Sequence, residues 1–127
     1  MNYVYLLILL ALLQYFFFTA KTGAARGKYG VKAPKTTGNE IFERTFRVQQ
    51  NTLEQLIVYI PGMLLFAKFV SPLWALLPGG LYLIGRQIYY HLYVADPDKR
   101  GPGVALSLFS NAALVIGALI GLVLQMI

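Results

Sequence analysis

The segment Phe42 to Gln55 reads FERTFRVQQNTLEQ and gathers arginines, acids and amides immediately ahead of the apolar run LIVYIPGMLLF. On a helix turning ~100° per residue, Arg44, Arg47, Asn51, Glu54 and Gln55 fall within a sector of roughly 100°. A second stripe lies further along the chain, where Tyr82, Arg86, Tyr89 and Tyr93 fall within about 60° of one another on the same construction. Arg100 follows just past the turn Asp96-Pro97-Asp98. Guanidinium groups pair with carboxylates in a planar fork, and a carboxylate among them can receive an ammonium, with amides and phenols completing the hydrogen bonds.

Each stripe also has a plainer reading. An acid as deep as Glu54 is costly next to an apolar run unless paired, so an internal ion pair with Arg47 or Arg44 accounts for part of the pattern. Tyrosines at a membrane interface are ordinarily an aromatic belt. Here three of them share a face with Arg86, at the depth of Arg47 and Asn51 on the neighbouring helix, which predicts a polar cleft. Such a cleft would suit a small zwitterion with several carboxylates and one ammonium. Glutathione fits that description, as on these grounds do other anions or a phospholipid headgroup. His91 points away from the stripe and has no partner at ligand spacing, so it reads as a packing or interfacial residue, and no metal site is expected. With no cysteine in the chain, any thiol chemistry must use a thiol supplied by a ligand. No phosphate-binding loop, zinc-protease or dinucleotide fingerprint is present.

The elements that must carry these stripes are apolar helices. The chain has 127 residues, 57% hydrophobic and 13% charged, with a mean hydropathy of +0.60. At ~20 apolar residues per span, that length allows about four spans and no separate soluble domain. The sequence therefore predicts a single all-α domain over 1–127, an integral membrane four-helix bundle with helices at about 2–20, 39–70, 73–95 and 104–127. The first run has no basic residue ahead of it and reads as a retained helix rather than a signal peptide. Residues 21 to 41, rich in Gly, Lys and Thr, read as a polar loop. Asn39 is the expected cap of the second helix, which at ~30 residues is about 45 Å long and must project beyond the hydrocarbon. Pro61-Gly62 is expected to kink it. The third helix could start near Pro72 or at Pro78, and Gly117 and Gly121 form a GxxxG match in the fourth. The formal net charge of +6 lies mostly beside the spans, where it faces anionic lipid and sets topology, so no nucleic acid is expected as a partner.

With those residues in place, the segment Gly38 to Asn51 (GNEIFERTFRVQQN) resembles the signature of the MAPEG family, in its leukotriene C4 synthase, microsomal glutathione transferase and five-lipoxygenase-activating-protein branch. It departs from that signature at Thr45, Val48 and Thr52. The upstream Thr36-Thr37-Gly38 and the pattern Arg86-x-x-Tyr89-x-x-x-Tyr93 with Arg100 seven residues on are also similar to the enzymes of the family, and the resemblance covers nearly the whole chain. It implies a homotrimer that binds glutathione as co-substrate between subunits near the cytoplasmic face. Arg47, Asn51, Glu54, Tyr89 and Tyr93 match positions that hold glutathione, Arg26 and Gln49 match peripheral contacts, and Arg100 matches the arginine that stabilises the thiolate. Gly27 and Gln55 stand where the leukotriene synthase has an arginine and a tyrosine, so its lipid-epoxide substrate is not carried over.

The resemblance implies a membrane glutathione transferase or peroxidase acting on apolar electrophiles or lipid hydroperoxides from the bilayer. The alternative is a non-enzymatic protein of the same family that presents a lipid; that branch lacks the arginine matched by Arg100. A four-helix multidrug transporter would be expected to carry an acid in its first helix, and Asn2 to Ala20 has none. The basic residues cluster around 21–47 and at Lys99 and Arg100, with Lys68 near the opposite side, which predicts both basic loops and the site on the cytoplasmic face. Cysteines introduced at Lys32 and Asp98 should be labelled by an impermeant maleimide from the same side of sealed vesicles. Labelling from opposite sides would rule out this topology.

Overall fold

A computed structural model describes all of residues 1–127. The chain forms four long helices, α1 (Asn2–Tyr29), α2 (Glu40–Phe69), α3 (Pro72–Ala95) and α4 (Gly101–Met126), with a 3₁₀ turn at Pro97–Lys99 before α4. α1, α2 and the segment Pro97–Met126 are long and apolar enough to cross a membrane. α3 is as long as a span requires, but Arg86, Gln87 and its tyrosines make it more polar.

The packing shows how the helices run. Val4 and Ile8 of α1 meet Met63 and Ala67 of α2 in one cluster, whereas Gln49 of α2 bonds Thr19 of α1, so these two helices are antiparallel. Gly103 lies against Tyr89 and Gly85 against Ser107, so α4 runs antiparallel to α3. The connection 30–39 and the turn 96–100 therefore lie at one end of the bundle, with most of the basic residues. The main core, built from residues such as Leu56, Tyr59, Met63, Ala75, Tyr82 and Leu114, lies toward the other end.

Several boundaries differ from the sequence expectation. The first helix does not stop at Ala20 but continues to Tyr29. Thr22 and Ala25 are buried against the bundle, and the Thr22 hydroxyl donates to the Phe18 carbonyl 3.0 Å away, so packing carries the helix through a stretch whose composition resembles a loop. It ends at Gly30, where φ is +68°, a conformation that glycine adopts without the Cβ clash other residues suffer. Arg26 thus sits on the last turn of a helix, not in a loop, with its guanidinium 4.8 Å from the Phe42 ring centroid.

α2 opens on Asn39, whose side-chain oxygen accepts from the Phe42 backbone N–H at 3.0 Å, with Glu40 and Glu43 in the first turn. These acids complement the positive end of the helix dipole. The helix is continuous through Pro61. The start of α3 is fixed by Ser71, whose side chain accepts from the Trp74 N–H at 3.3 Å; Pro72 occupies the first turn, where its missing N–H costs nothing, and Pro78 lies inside the helix. α4 starts at Gly101, ahead of the expected Val104, because Pro102 is likewise accommodated in a first turn.

Gly117 and Gly121 face α2 within the chain. A Cβ at Gly121 would lie 2.5 Å from the Phe69 carbonyl oxygen, and one at Gly117 would lie 2.5 Å from the Phe66 ring. α4 lies directly against the α3 backbone at Gly103, where an added Cβ would stand 2.5 Å from the backbone N and Cα of Tyr89. Gly103→Ala must therefore push α4 off α3. It should cost roughly 1–3 kcal/mol, read as a lower melting temperature in detergent, whereas Gly101→Ala, with open space around it, should leave melting nearly unchanged. Equal melting temperatures for the two variants would contradict this packing.

Candidate functional site

At the basic end of the bundle, the outward side of α2 faces the C-terminal half of α3. Arg47 and Glu54, two turns apart, form the chain's one ion pair, with Nη1 3.3 Å from Oε1 and side chains 52% and 57% exposed. Arg44 reaches across to α3, where its Nε donates to the Val94 carbonyl at 3.1 Å. Arg44 and Arg47 line a cavity of about 440 Å³ with Glu40, Glu43, Tyr93 and Pro97.

Beneath this rim lies Arg86, 1% exposed. Its Nε donates to Ser107 Oγ at 2.9 Å, and its Nη1 donates to Asn51 Oδ1 at 2.6 Å and to Thr52 Oγ1 at 3.4 Å. The guanidinium also lies 4.8 Å from the centroid of the Tyr89 ring, a distance at which the ring face attracts the cation. Tyr89 in turn stacks on Tyr93, with centroids 5.1 Å apart and planes 8° from parallel. Arg47, Arg86 and Arg100 all lie within electrostatic range of Tyr89. Arg100 itself is exposed and precedes the first turn of α4, where the helix dipole adds positive potential. It makes no side-chain hydrogen bond or ion pair within the chain.

The structure thus brings Arg47, Asn51, Glu54, Tyr89, Tyr93 and Arg100 to one region. Arg26 and Gln49 are not part of it. Gln49 turns toward α1, where its Nε2 donates to Thr19 Oγ1 at 3.3 Å, and Arg26 packs over Phe42 and Phe46. On α2, Gln49 is about 160° around the helix from Arg47. The two side chains therefore leave α2 on nearly opposite faces. His91 is exposed, with its Nε2 3.0 Å from the Gln87 side-chain nitrogen, and no cluster of His, Cys, Asp or Glu could hold a metal.

The sequence reading missed Ser107 and Thr52. The signal was available in α4: Ser107, Ser110 and Asn111 are spaced as one helix face in an otherwise apolar segment, and all three are buried. Asn111 completes the polar layer, donating to the Gln55 side-chain oxygen at 2.9 Å.

The family model described as the MAPEG family matches residues 4–120. The chain belongs to the MAPEG family. Among its MAPEG relatives, an uncharacterized protein of Synechocystis sp. is 45% identical over 121 residues, 95% of this chain and 88% of that protein. The human protein named microsomal glutathione S-transferase 2 is 36% identical over 112 residues, 87% of this chain and 76% of its own length. Leukotriene C4 synthase of Rattus norvegicus is 29% identical over 117 residues, 92% of this chain and 78% of that enzyme. The membership agrees with an all-helical, multi-pass integral membrane protein.

An ion pair more than half exposed contributes at most about 1 kcal/mol. Glu54→Gln should therefore leave the melting temperature of the ligand-free protein within roughly 3 °C of wild type. A larger drop would show that Glu54 holds the bundle together, as the plainer sequence reading has it, and is not kept free for a ligand.

Proposed function

We propose that this MAPEG protein is a membrane glutathione transferase, assembled as a homotrimer with glutathione bound between subunits at the cytoplasmic face. The observation that carries the reading is the set of guanidinium groups around Tyr89 and Tyr93, with Arg100 left without an internal partner. Relatives named as microsomal glutathione S-transferases support the choice of ligand. Arg47 and the amide of Asn51 receive glutathione carboxylates, Glu54 receives its ammonium, and Tyr89 and Tyr93 wall the cleft. Because Arg26 and Gln49 face the other side of α2, they act on the ligand held by the neighbouring subunit. That division of the contacts requires the oligomer.

The chemistry needs a thiolate. A free thiol titrates near 8.5, and a nearby cation lowers that value. Arg100, at the cleft mouth and beside the start of α4, favours the anion and releases the thiol proton to water. The thiolate then attacks an electrophilic carbon of an apolar substrate arriving from the bilayer: a C–S bond forms and the leaving group departs with its electron pair. With a lipid hydroperoxide the thiolate takes the terminal peroxide oxygen and becomes the sulfenic acid, while the O–O bond breaks and the lipid leaves as an alkoxide that water protonates to the alcohol. The thiol of a second glutathione then attacks the sulfenic sulfur, forming the disulfide as the hydroxyl leaves as water.

Purified protein given glutathione and an aryl halide should release halide. Arg100→Ala should cut kcat by about a hundredfold, the size seen when one charge-stabilising donor is lost, while glutathione KM changes by no more than about threefold. No turnover by wild type, with glutathione still bound, would favour the non-enzymatic, lipid-presenting alternative. Undiminished turnover in the variant would make Arg100 a surface charge.

A further inference from the structure

Arg86 is the most buried charged group in the chain, and no acid answers it. The chain has five acidic residues, and its one ion pair joins Arg47 to Glu54. Arg86 is held instead by neutral oxygens and aromatic faces. Of these oxygens, that of Asn51 is the nearest, at 2.6 Å. Ser107 is committed: its hydroxyl proton goes to the Gly103 carbonyl at 2.8 Å, which leaves its lone pairs to accept from Arg86.

The chemistry of the pair fixes which way the Asn51 amide faces. A guanidinium is donor-only, so an amide turned over would set N–H against N–H. Asn51 must therefore give its oxygen to Arg86 and keep its two N–H donors on the other side. They have no partner within the chain. Asn51 is only half-buried, between Arg47 one turn before it and Glu54 about one turn after.

We propose that Arg86 is a positioning residue: by holding the Asn51 carbonyl oxygen, it locks the carboxamide with its donors toward the ligand, so that this subsite accepts a carboxylate or peptide carbonyl. This rests on the glutathione reading given above. Arg86 does not touch the ligand. It sets the polarity of the group that does.

The test is a double-mutant cycle on glutathione affinity, measured by calorimetry in detergent micelles below the melting temperature of every variant. Asn51→Ala should weaken binding by about tenfold or more, as expected for losing a hydrogen bond to a charged group. Arg86→Gln should weaken it too, through a carboxamide no longer locked. If Arg86 acts through Asn51, adding Arg86→Gln to Asn51→Ala should cost no more than about a further twofold. Losses that multiply would overturn the proposal.

Should Arg86→Gln fail to fold, Asn51→Asp gives a second measurement. An aspartate still accepts from Arg86, so melting should hold or rise, but it offers the ligand an acceptor in place of donors. Glutathione affinity should then fall by about tenfold or more. Affinity retained in Asn51→Asp would overturn the proposal. Wild type that binds no glutathione would remove the functional reading and this inference together, whereas wild-type binding with independent losses would remove this inference alone.

Discussion

A guanidinium carried into an apolar bundle is the constraint around which this structure is arranged. Desolvating such a group costs several kcal/mol unless it is surrounded by hydrogen-bond acceptors. Arg86 finds them on two other helices, Ser107 on α4 and Asn51 with Thr52 on α2. One side chain of α3 therefore fixes the axial register of α2, α3 and α4 together. Apolar packing alone is less exacting, since one apolar contact substitutes readily for another. The glycines serve the same end: Gly85 and Gly103 bring α4 close enough to α3 that Ser107 lies within reach.

The polar residues form two tiers around that anchor. In the lower tier, the Arg86 guanidinium is held inside the subunit by the oxygens of Asn51, Thr52 and Ser107, and only the Asn51 N–H donors are left over. The upper tier is open: Arg47 and Glu54 are paired but more than half exposed, and Arg100 has no internal partner. A preorganised floor under groups free to change partners suits ligand binding, because the order is already in place before the ligand arrives. In the proposed trimer, Arg26 of α1 and Gln49 of α2 add a third set from the next subunit, which gives a role to two polar side chains that lie away from the cleft.

Much of this was legible in the sequence. The stripes of Arg47, Asn51 and Glu54 and of Arg86, Tyr89 and Tyr93 are helix-periodic in segments where polar residues are costly, and the structure sets them against each other. What the sequence hid was decided by packing. The extension of α1 to Tyr29 crosses a Gly- and Lys-rich stretch that reads as a loop, and it forms because Thr22 and Ala25 are buried. Ser107 drew no notice because a serine in an apolar helix ordinarily bonds its own backbone; it does so here, and only the fold reveals the arginine on its other side. The GxxxG match read correctly as close packing, and the structure places its partner in α2 of the same chain.

The account turns on whether the cleft holds glutathione as an anion at a pH where the free molecule is a thiol. Stoichiometric mixing of purified protein with glutathione at about pH 7, more than a unit below the ordinary thiol value, tests this through the ultraviolet absorbance of the thiolate. The account predicts an absorbance that rises with added glutathione, saturates with the binding isotherm and vanishes when a thiol-blocked analogue displaces the ligand. Saturable binding by calorimetry with no thiolate absorbance would contradict it.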